Sequence, residues 1–330
     1  ITLTGLGLRM TEFVEFVSQG NVLVMLLFIA FVCLVLGLGV PTTANYVLVA
    51  TLMAPVVVEL GARSGLIIPL IAVHLFVFYY GIMGDITPPV GLATFAAAAI
   101  SGEDAIATGI QGAKYALRTV ILPFIWIFNT QLLLVDIETP WEFIRVVTAC
   151  TVAMLVFCAL TMGWFRDQCR RWEMAALTLA VALLFRPGFF MDQIATEYAD
   201  IPPTRVFEVA QAAESGEQLV MVIKGTSIEG ADLVKTVALR LGEAGSEGRK
   251  RLADAGLQLV PLGEQLQIGP VKFGSQAKKG GFEQGWQVAE IKVRTDRPTP
   301  HWFYLPALIL VGWIWWLQGQ RLASRSRSVT

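Results

Sequence analysis

The stretch Gly37-Leu-Gly-Val-Pro-Thr-Thr-Ala-Asn-Tyr46 interrupts a very apolar part of the chain, and Gly84-Asp-Ile-Thr-Pro-Pro-Val-Gly91 interrupts it again. Between residues 21 and 100 the charged side chains are Glu59, Arg63 and Asp85. Breaking a helix in lipid frees backbone N–H and C=O groups, and each unsatisfied group costs several kcal/mol. Such a break is tolerated where the backbone lines a polar cavity or binds a ligand. Paired breaks at membrane depth therefore predict the ion and substrate site of a secondary transporter.

The composition is that of a membrane protein. Of the 330 residues, 55% are hydrophobic and 15% are charged, whereas soluble domains carry about 25% charged residues. Several apolar runs approach the ~20 residues that cross a bilayer. The net charge of −1 and the lack of a basic stripe argue against nucleic-acid binding. The sequence has no Gly-x-x-x-x-Gly-Lys motif, which favours coupling to an ion gradient over ATP.

Apolar runs and breakers predict helices and a hairpin in the first part of the chain. They are an amphipathic helix at 10–19, a hairpin at 22–60, a helix at 64–83 that resumes at 92–100, and a helix at 103–135. The hairpin is predicted to be re-entrant, with its bend at Pro41. Three later spans are predicted at 143–163, 173–185 and 303–317.

Residues 187–300 are polar and Gly-rich and predict a small α+β domain. Its predicted strands are 219–223, 233–241, 256–260 and 287–294, with a helix at 246–255 that Gly256 closes. Residues 273–288 resemble the strand-helix-strand segment of PDZ domains, which predicts a peptide groove beside the strand at Phe273. A plain α+β domain is the alternative. The chain thus divides into a transporter core at 1–135, two added helices at 136–186, this domain, and a final helix with a basic tail at 301–330.

Charge asymmetry predicts the orientation of the spans. The turn at 136–142 has no Lys or Arg and is expected outside, so residues 187–300 lie outside as well. A re-entrant hairpin then begins and ends outside, whereas arms that cross the bilayer differently would place its end inside. The basic residues expected on the cytoplasmic side are Lys114, Arg118, Arg166, Arg170, Arg171, Arg321, Arg325 and Arg327.

The first break offers oxygen ligands and an adaptable backbone. Hydroxyl and amide oxygens lie beside the bend, and flanking glycines allow unusual backbone angles. Freed carbonyls together with side-chain oxygens suit a dehydrated hard cation such as Na⁺. The alternative is a proline kink whose backbone groups are satisfied by the threonines. The candidate residues are Gly37, Gly39, Pro41, Thr42, Thr43 and Asn45.

The second break adds a carboxylate. Two successive prolines cannot continue the hydrogen-bond ladder of a helix. An intramembrane Asp costs roughly 2.5–3.5 kcal/mol on insertion scales, which makes Asp85 a functional candidate as a Na⁺ ligand or a proton carrier. The alternative is a carboxylate that only accepts a hydrogen bond from Thr87. The candidate residues are Gly84, Asp85, Thr87, Pro88 and Pro89.

Three other polar positions have simpler interpretations. His74, on the helix before the second break, is expected to form an internal hydrogen bond rather than to carry protons. Glu59 and Arg63, four residues apart, are expected to form a weak surface pair. Asp104 is expected to cap the helix that follows it.

Taken together, these segments resemble a known family. The order and spacing of residues 37–46, 54–55, 74–81, 87–91 and 95–100 resemble the large membrane subunit of tripartite ATP-independent periplasmic (TRAP) transporters. The pattern is similar to fused permeases that work with TAXI-type solute-binding proteins, and residues 136–330 resemble their C-terminal extension with its domain of unknown function. The resemblance implies an α-helical polytopic membrane protein, the second inverted repeat of an elevator-type transporter, with a re-entrant hairpin and a broken helix.

The same resemblance implies partners, an ion and a place in the cell. It implies a first repeat and a small membrane subunit upstream, an extracytoplasmic solute-binding protein, and Na⁺ or H⁺ as the coupling ion. The cargo would be an organic acid or similar small solute, imported across a bacterial cytoplasmic membrane. Because no signal peptide precedes Ile1, we expect this sequence to be the C-terminal part of a longer protein.

Two other function classes explain less of the sequence. An intramembrane aspartyl protease needs two carboxylates within reach of each other, and the predicted spans contain no second Asp. The sequence also lacks a His-Glu-x-x-His motif, so we do not expect an enzyme. A membrane-anchored scaffold or sensor that acts through residues 187–300 leaves both breaks unexplained.

The predicted orientation can be tested by cysteine labelling. After removal of the native cysteines, a cysteine at Gly245 or Gly281 should react with an impermeant maleimide added to intact cells. A cysteine at Gln168 or Ser324 should react only after permeabilisation. Protection at position 245 together with labelling at position 324 would contradict the orientation.

Overall fold

The computed structural model describes residues 6–88, 90–135, 137, 139–226, 230, 232–263 and 265–327. They fall into two compact units. One comprises Ile1–Phe28, Pro55–Ile68 and Thr196–Asp296, and the other comprises Ile29–Ala54, Pro69–Ala195 and Arg297–Thr330. The predicted hairpin contributes to both, because the division falls within each of its two arms.

The elements follow one another from an all-helical part to a sheet and back to a helix. In chain order they are α1 (Leu6–Ser18), α2 (Val22–Leu36), α3 (Thr42–Arg63), α4 (Leu70–Met83), α5 (Leu92–Ser101), α6 (Ala105–Phe128), α7 (Pro140–Met162), α8 (Arg171–Phe185), α9 (Pro187–Asp192), β1 (Tyr198–Ile201), α10 (Val206–Ala212), β2 (Gln218–Thr226), β3 (Asp232–Arg240), α11 (Gly248–Asp254), β4 (Leu259–Leu262), β5 (Gln265–Ile268), α12 (Gln276–Lys279), β6 (Gln287–Arg294) and α13 (Tyr304–Arg327).

Two predicted helix boundaries are wrong. The helix expected from Ser64 begins at Leu70, because Gly65 adopts a positive φ of 82° and Pro69 occupies the N-cap position. The helix expected to reach Val135 ends at Phe128, and a 3₁₀ turn follows. Its C-cap residue, Asn129, donates its side-chain amide to the carbonyl oxygen of Phe185 at 2.7 Å. The predicted cap at Asp104 is confirmed, since its carboxylate accepts the N–H of Ala107 at 2.7 Å.

Three helical stretches among the described residues are long and apolar enough to cross a membrane. They are Thr42–Arg63, Pro140–Met162 and Pro300–Arg325. Shorter apolar helices occupy Val22–Leu36, Leu70–Met83 and Leu92–Ser101. The predicted span at 173–185 is α8, which has 15 residues and begins with Arg171. The chain is therefore helical, with three candidate membrane spans and one small sheet.

Helices α7, α8 and α13 pack around a shared apolar core that includes Ala153, Leu177 and Ile314. A buried polar cluster joins α13 to the α7–α8 loop and to α8 at one end of this bundle. The side-chain oxygen of Gln318 accepts the N–H groups of Arg166 and Asp167 at 2.9 and 3.0 Å. Arg321 forms ion pairs with the buried carboxylates of Glu173 and Asp167. The α7–α8 loop and the end of α13, whose arginines are predicted to be cytoplasmic, therefore meet at one end of the bundle.

The sheet is antiparallel throughout, in the order β3-β2-β6-β5-β4, with β1 paired to the C-terminal half of β6. The predicted strands at 219–223, 233–241 and 287–294 are confirmed as β2, β3 and β6. The strand predicted at 256–260 is displaced to β4, where it pairs with β5. Sequence reasoning missed β5 because the strand is only four residues long and two of them are glutamines, which leaves little apolar signal.

The predicted strand at Phe273 is wrong. Phe273 lies in a turn before α12 and is 92% exposed. The space beside the edge strand β3 is also filled, because a Cβ at Gly280 would overlap the carbonyl oxygen of Ala238. The described residues thus form a plain α+β sheet domain without the expected peptide groove at Phe273. We use the term sheet domain for Thr196–Asp296.

A single buried arginine ties the helices of the sheet domain together. Arg251, on α11, is 2% exposed. Its guanidinium donates to the carbonyl oxygens of Ala210, Ala213, Glu214 and Gly242 at 2.6–2.9 Å. Because the planar guanidinium offers several donors in a fixed arrangement, one side chain satisfies four backbone acceptors at the end of α10 and after β3.

Replacing Arg251 with Met should destabilise the sheet domain by about 3–5 kcal/mol, because four carbonyl oxygens lose their donor at once. Arg249→Met is the matched control. That arginine is exposed and stacks on Phe207, so its loss should cost less than ~1 kcal/mol. Hydrogen exchange of the β2 and β6 amides in the full chain measures both values, and equal losses would contradict the assignment.

Candidate functional site

The two predicted breaks come together in the structure. The turn between α2 and α3 packs against the end of α4, and glycines form the contact. A Cβ at Gly37 would overlap the carbonyl oxygen of Gly81, and a Cβ at Gly84 would lie 2.8 Å from the backbone of Gly37. Any larger side chain would push the two segments apart, so the hairpin tip and the broken helix touch through bare backbone.

Asn45 is the polar side chain that this contact buries. It is 1% exposed, although its neighbours Thr42 and Thr43 are exposed. A Cβ at Gly81 would lie 2.6 Å from its amide nitrogen. Its side-chain oxygen has no hydrogen-bond partner among the described residues. Leaving a buried acceptor unsatisfied costs about 1–3 kcal/mol, so we expect a hydrogen-bond donor or a cation to bind this oxygen.

The second break is a real interruption of the helical ladder. After α4 the N–H groups of Asp85 and Ile86 bond three residues back, to Ile82 and Met83, at 3.2 and 3.1 Å. The chain re-enters a helix at α5 through Gly91, whose φ is 36°. Thr94, buried in the first turn of α5, donates its hydroxyl to the carbonyl oxygen of Gly91 at 2.9 Å.

Asp85 and Thr87 lie at this break but do not bond to each other. The hydroxyl of Thr87 donates to the carbonyl oxygen of Met83 at 3.0 Å. Asp85 is half-buried, and its backbone carbonyl accepts the N–H of Ala93 at 3.0 Å. The interpretation of Asp85 as a carboxylate held by Thr87 is therefore wrong within the described residues, and its side chain is available for another ligand.

Sequence reasoning predicted a helix at 103–135 but did not predict that it packs against the break. A Cβ at Gly112 on α6 would lie 2.6 Å from the methyl group of Thr94, and one at Gly109 would lie 3.1 Å from the ring of Pro88. These two glycines let α6 approach the break closely. Further along α6, the carbonyl oxygen of Val120 accepts the hydroxyl of Tyr80 from α4. Two glycines three residues apart on an otherwise well-formed helix were the available signal.

The predicted residues divide into three groups. Gly37, Asn45 and Gly84 are buried together at the contact, and Asp85, Thr87 and Pro88 are half-buried at the break. The other predicted residues of the hairpin tip are exposed. They are Gly39, Pro41, Thr42 and Thr43. Pro89 lies outside the described residues.

The hydrogen bond expected for His74 is present. Its ring nitrogen Nδ1 lies 3.0 Å from the hydroxyl of Tyr46, the last residue of the predicted tip stretch. The ring of Tyr46 also contacts Phe78 edge-on, with centroids 5.5 Å apart. This bond joins α3 to α4 at the residue next to Asn45, so it holds the amide against the broken helix.

Replacing Gly37 with Ala should destabilise the packing of the hairpin tip by about 1–3 kcal/mol, since a backbone carbonyl cannot move aside as a flexible side chain can. The matched control is Gly312→Ala on α13, where a Cβ meets nothing within 4 Å and should be neutral or stabilising. Thermal unfolding of the purified chain in detergent measures both. Equal melting temperatures for the two variants would contradict the contact.

Comparison with known proteins finds two family models that match parts of the chain. The family model of the "Tripartite ATP-independent periplasmic transporter, DctM component" matches residues 1–141. That of the "Domain of unknown function (DUF3394)" matches residues 143–324. No curated protein and no solved structure matches the chain. DctM proteins are membrane components of TRAP transporters, which work with a solute-binding protein and a small membrane subunit, and they are not an enzyme family. The chain therefore belongs to the DUF3394 family, and its first 141 residues match the DctM component of TRAP transporters.

Proposed function

We propose that this chain forms part of a binding-protein-dependent permease that imports an organic acid, driven by an ion gradient, and that its cation binds between the hairpin tip and the broken helix. The observation that carries the proposal is the buried side-chain oxygen of Asn45, which lacks a partner among the described residues beside the backbone of Gly37, Gly81 and Gly84. A buried acceptor next to bare backbone suits a dehydrated hard cation.

Na⁺ fits these groups better than a proton does. Amide and carbonyl oxygens coordinate Na⁺ without a change of protonation, and Asn45 cannot titrate. Asp85, two residues after the end of α4, supplies a carboxylate within the same break. With Na⁺ as the ion, Asp85 acts as a ligand or balances the charge nearby. With H⁺ as the ion, Asp85 is the group that carries it.

An anionic solute would meet two helix N-termini. Helix α3 begins at Thr42 and α5 begins at Leu92, and each follows one of the breaks. The unpaired N–H groups of a first helical turn and the helix dipole favour a carboxylate. The exposed hydroxyls of Thr42 and Thr43 add hydrogen-bond donors at the hairpin tip. This arrangement supports an organic acid as the substrate class.

The rest of the proposal follows from the predicted family type. The chain carries the second inverted repeat of an elevator-type transporter, and a first repeat and the small subunit complete it. A TAXI-type solute-binding protein delivers the substrate from outside. The permease lies in a bacterial cytoplasmic membrane, with the sheet domain outside and the C-terminus in the cytoplasm, which agrees with the arginines at one end of the α7–α8–α13 bundle.

Asn45→Leu, Thr43→Val and Thr87→Val test the site in the complete reconstituted transporter, through solute uptake at varied Na⁺. Asn45→Leu keeps the branched shape of the side chain but removes the oxygen, and should raise the Na⁺ concentration for half-maximal uptake by about tenfold, the effect of ~1.4 kcal/mol. Thr51→Val is the control, because that exposed hydroxyl bonds only to its own helix. Unchanged uptake in all three site variants would show that these residues do not form the binding site.

Asp85→Asn separates the two ions. A Na⁺ ligand should lose affinity for Na⁺ but keep some uptake at high Na⁺. A proton carrier should lose uptake driven by a pH gradient outright, because an amide does not titrate. Normal uptake under both gradients would show that Asp85 has a structural role.

A further inference from the structure

The base of the hairpin and the sheet domain belong to one compact unit. This unit contains Ile1–Phe28 and Pro55–Ile68, which lie within the DctM match, together with Thr196–Asp296, which lies within the DUF3394 match. The base of the hairpin is therefore packed with a domain that follows it by more than a hundred residues in the sequence. The side chains that join the two are charged.

Lys235 is the central side chain of this junction. It lies on β3, and its side chain is 8% exposed. Its Nζ is 2.8 Å from a carboxylate oxygen of Glu59 on α3 and 3.1 Å from one of Glu283 in the sheet domain. The ammonium also lies over the ring of Trp286, 4.8 Å from its centroid. A buried ammonium is tolerated only where charges or rings of this kind compensate the lost water.

The ionic contact continues into the hairpin base and α1. Arg63 Nε lies 3.1 Å from the same carboxylate oxygen of Glu59 that Lys235 contacts, and Arg63 Nη1 lies 2.6 Å from Glu15 on α1. The expected Glu59–Arg63 pair is therefore present, but it is part of a network and not an isolated surface pair. Glu59 is shared between a cation of its own helix and a cation of the sheet domain.

The loop after α3 also lies against β3. A Cβ at Gly65 would be 3.8 Å from the hydroxyl of Thr236. Lys235, Thr236 and Val237 are buried in succession, although β3 is an edge strand of the sheet. Successive residues of a strand point to opposite faces, so both faces of β3 are covered at this point.

We propose that a function of the DUF3394 sheet domain is to hold the outer base of the DctM hairpin in place, with Lys235 and Glu59 as the contact that does so. The domain acts as an anchor for residues 55–66, whereas the hairpin tip with Asn45 belongs to the other compact unit. This role requires no substrate and no ion, so it goes beyond the transport function proposed above. It also requires the hairpin base and the sheet domain to lie on the same side of the membrane.

Hydrogen exchange of the purified full chain in detergent tests the anchor. Lys235→Gln and Glu59→Gln should each speed exchange of the amides at 57–66, which lie at the end of α3 and in the loop after it, by about tenfold. This factor corresponds to ~1.4 kcal/mol. The double variant should show no further increase, because both changes break the same contact. Lys292→Gln is the matched control. That lysine pairs with Asp200 inside the sheet domain, at 3.0 Å, and its loss should leave residues 57–66 unchanged.

Exchange of β2 and β6 in the same samples separates a broken contact from an unfolded domain. The anchor predicts that Glu59→Gln speeds exchange at 57–66 and leaves the β2 and β6 amides as they were. Unchanged exchange at 57–66 in both single variants would overturn the proposal. An equal increase in Lys292→Gln, or additive effects in the double variant, would overturn it as well. None of these outcomes depends on whether the chain transports a solute.

Discussion

The close backbone contact between the hairpin tip and the broken helix is the constraint on which the candidate site depends. Gly37, Gly81 and Gly84 meet at distances that leave no room for a Cβ at any of the three. This contact buries the amide of Asn45 and removes it from water. Without these glycines the tip could not reach α4, and the two breaks would be separate kinks.

The hairpin has different chemistry at its two ends. Its tip has neutral oxygens, bare backbone and no charged residue from Gly37 to Tyr46. Its base has Glu59 and Arg63, which are joined to α1 and to the sheet domain. A site that binds and releases a dehydrated cation needs weak, neutral ligands, whereas a fixed attachment is served by charges that compensate one another. The distribution of charge along α3 thus matches the two roles proposed for it.

The sequence was sufficient to predict both breaks, because proline and glycine act through local backbone geometry. It did not separate Asn45 from Thr42 and Thr43, since which side of a helix turn is buried depends on the element that packs there. The spacing of Gly109 and Gly112 was a signal of close helix packing, but the sequence does not show which element packs against them, and Gly81 alone gave no such signal. The pair of Glu59 with Arg63 could be predicted, but its contact with Lys235 could not, since Lys235 is distant in the sequence and lies in a separate region. The prediction of a strand at Phe273 was wrong because a short aromatic and glycine-rich segment is equally suited to a turn.

The most direct test of the central claim is hydrogen exchange of the complete transporter in Na⁺ and in choline at equal ionic strength. If one cation joins the hairpin tip to the broken helix, Na⁺ should slow exchange at residues 36–46 and 84–91 together, because a ligand that bridges two segments stabilises both. The base of the hairpin at 57–66 should be unaffected. Exchange that is the same in both salts, or protection of one segment without the other, would contradict a shared cation site.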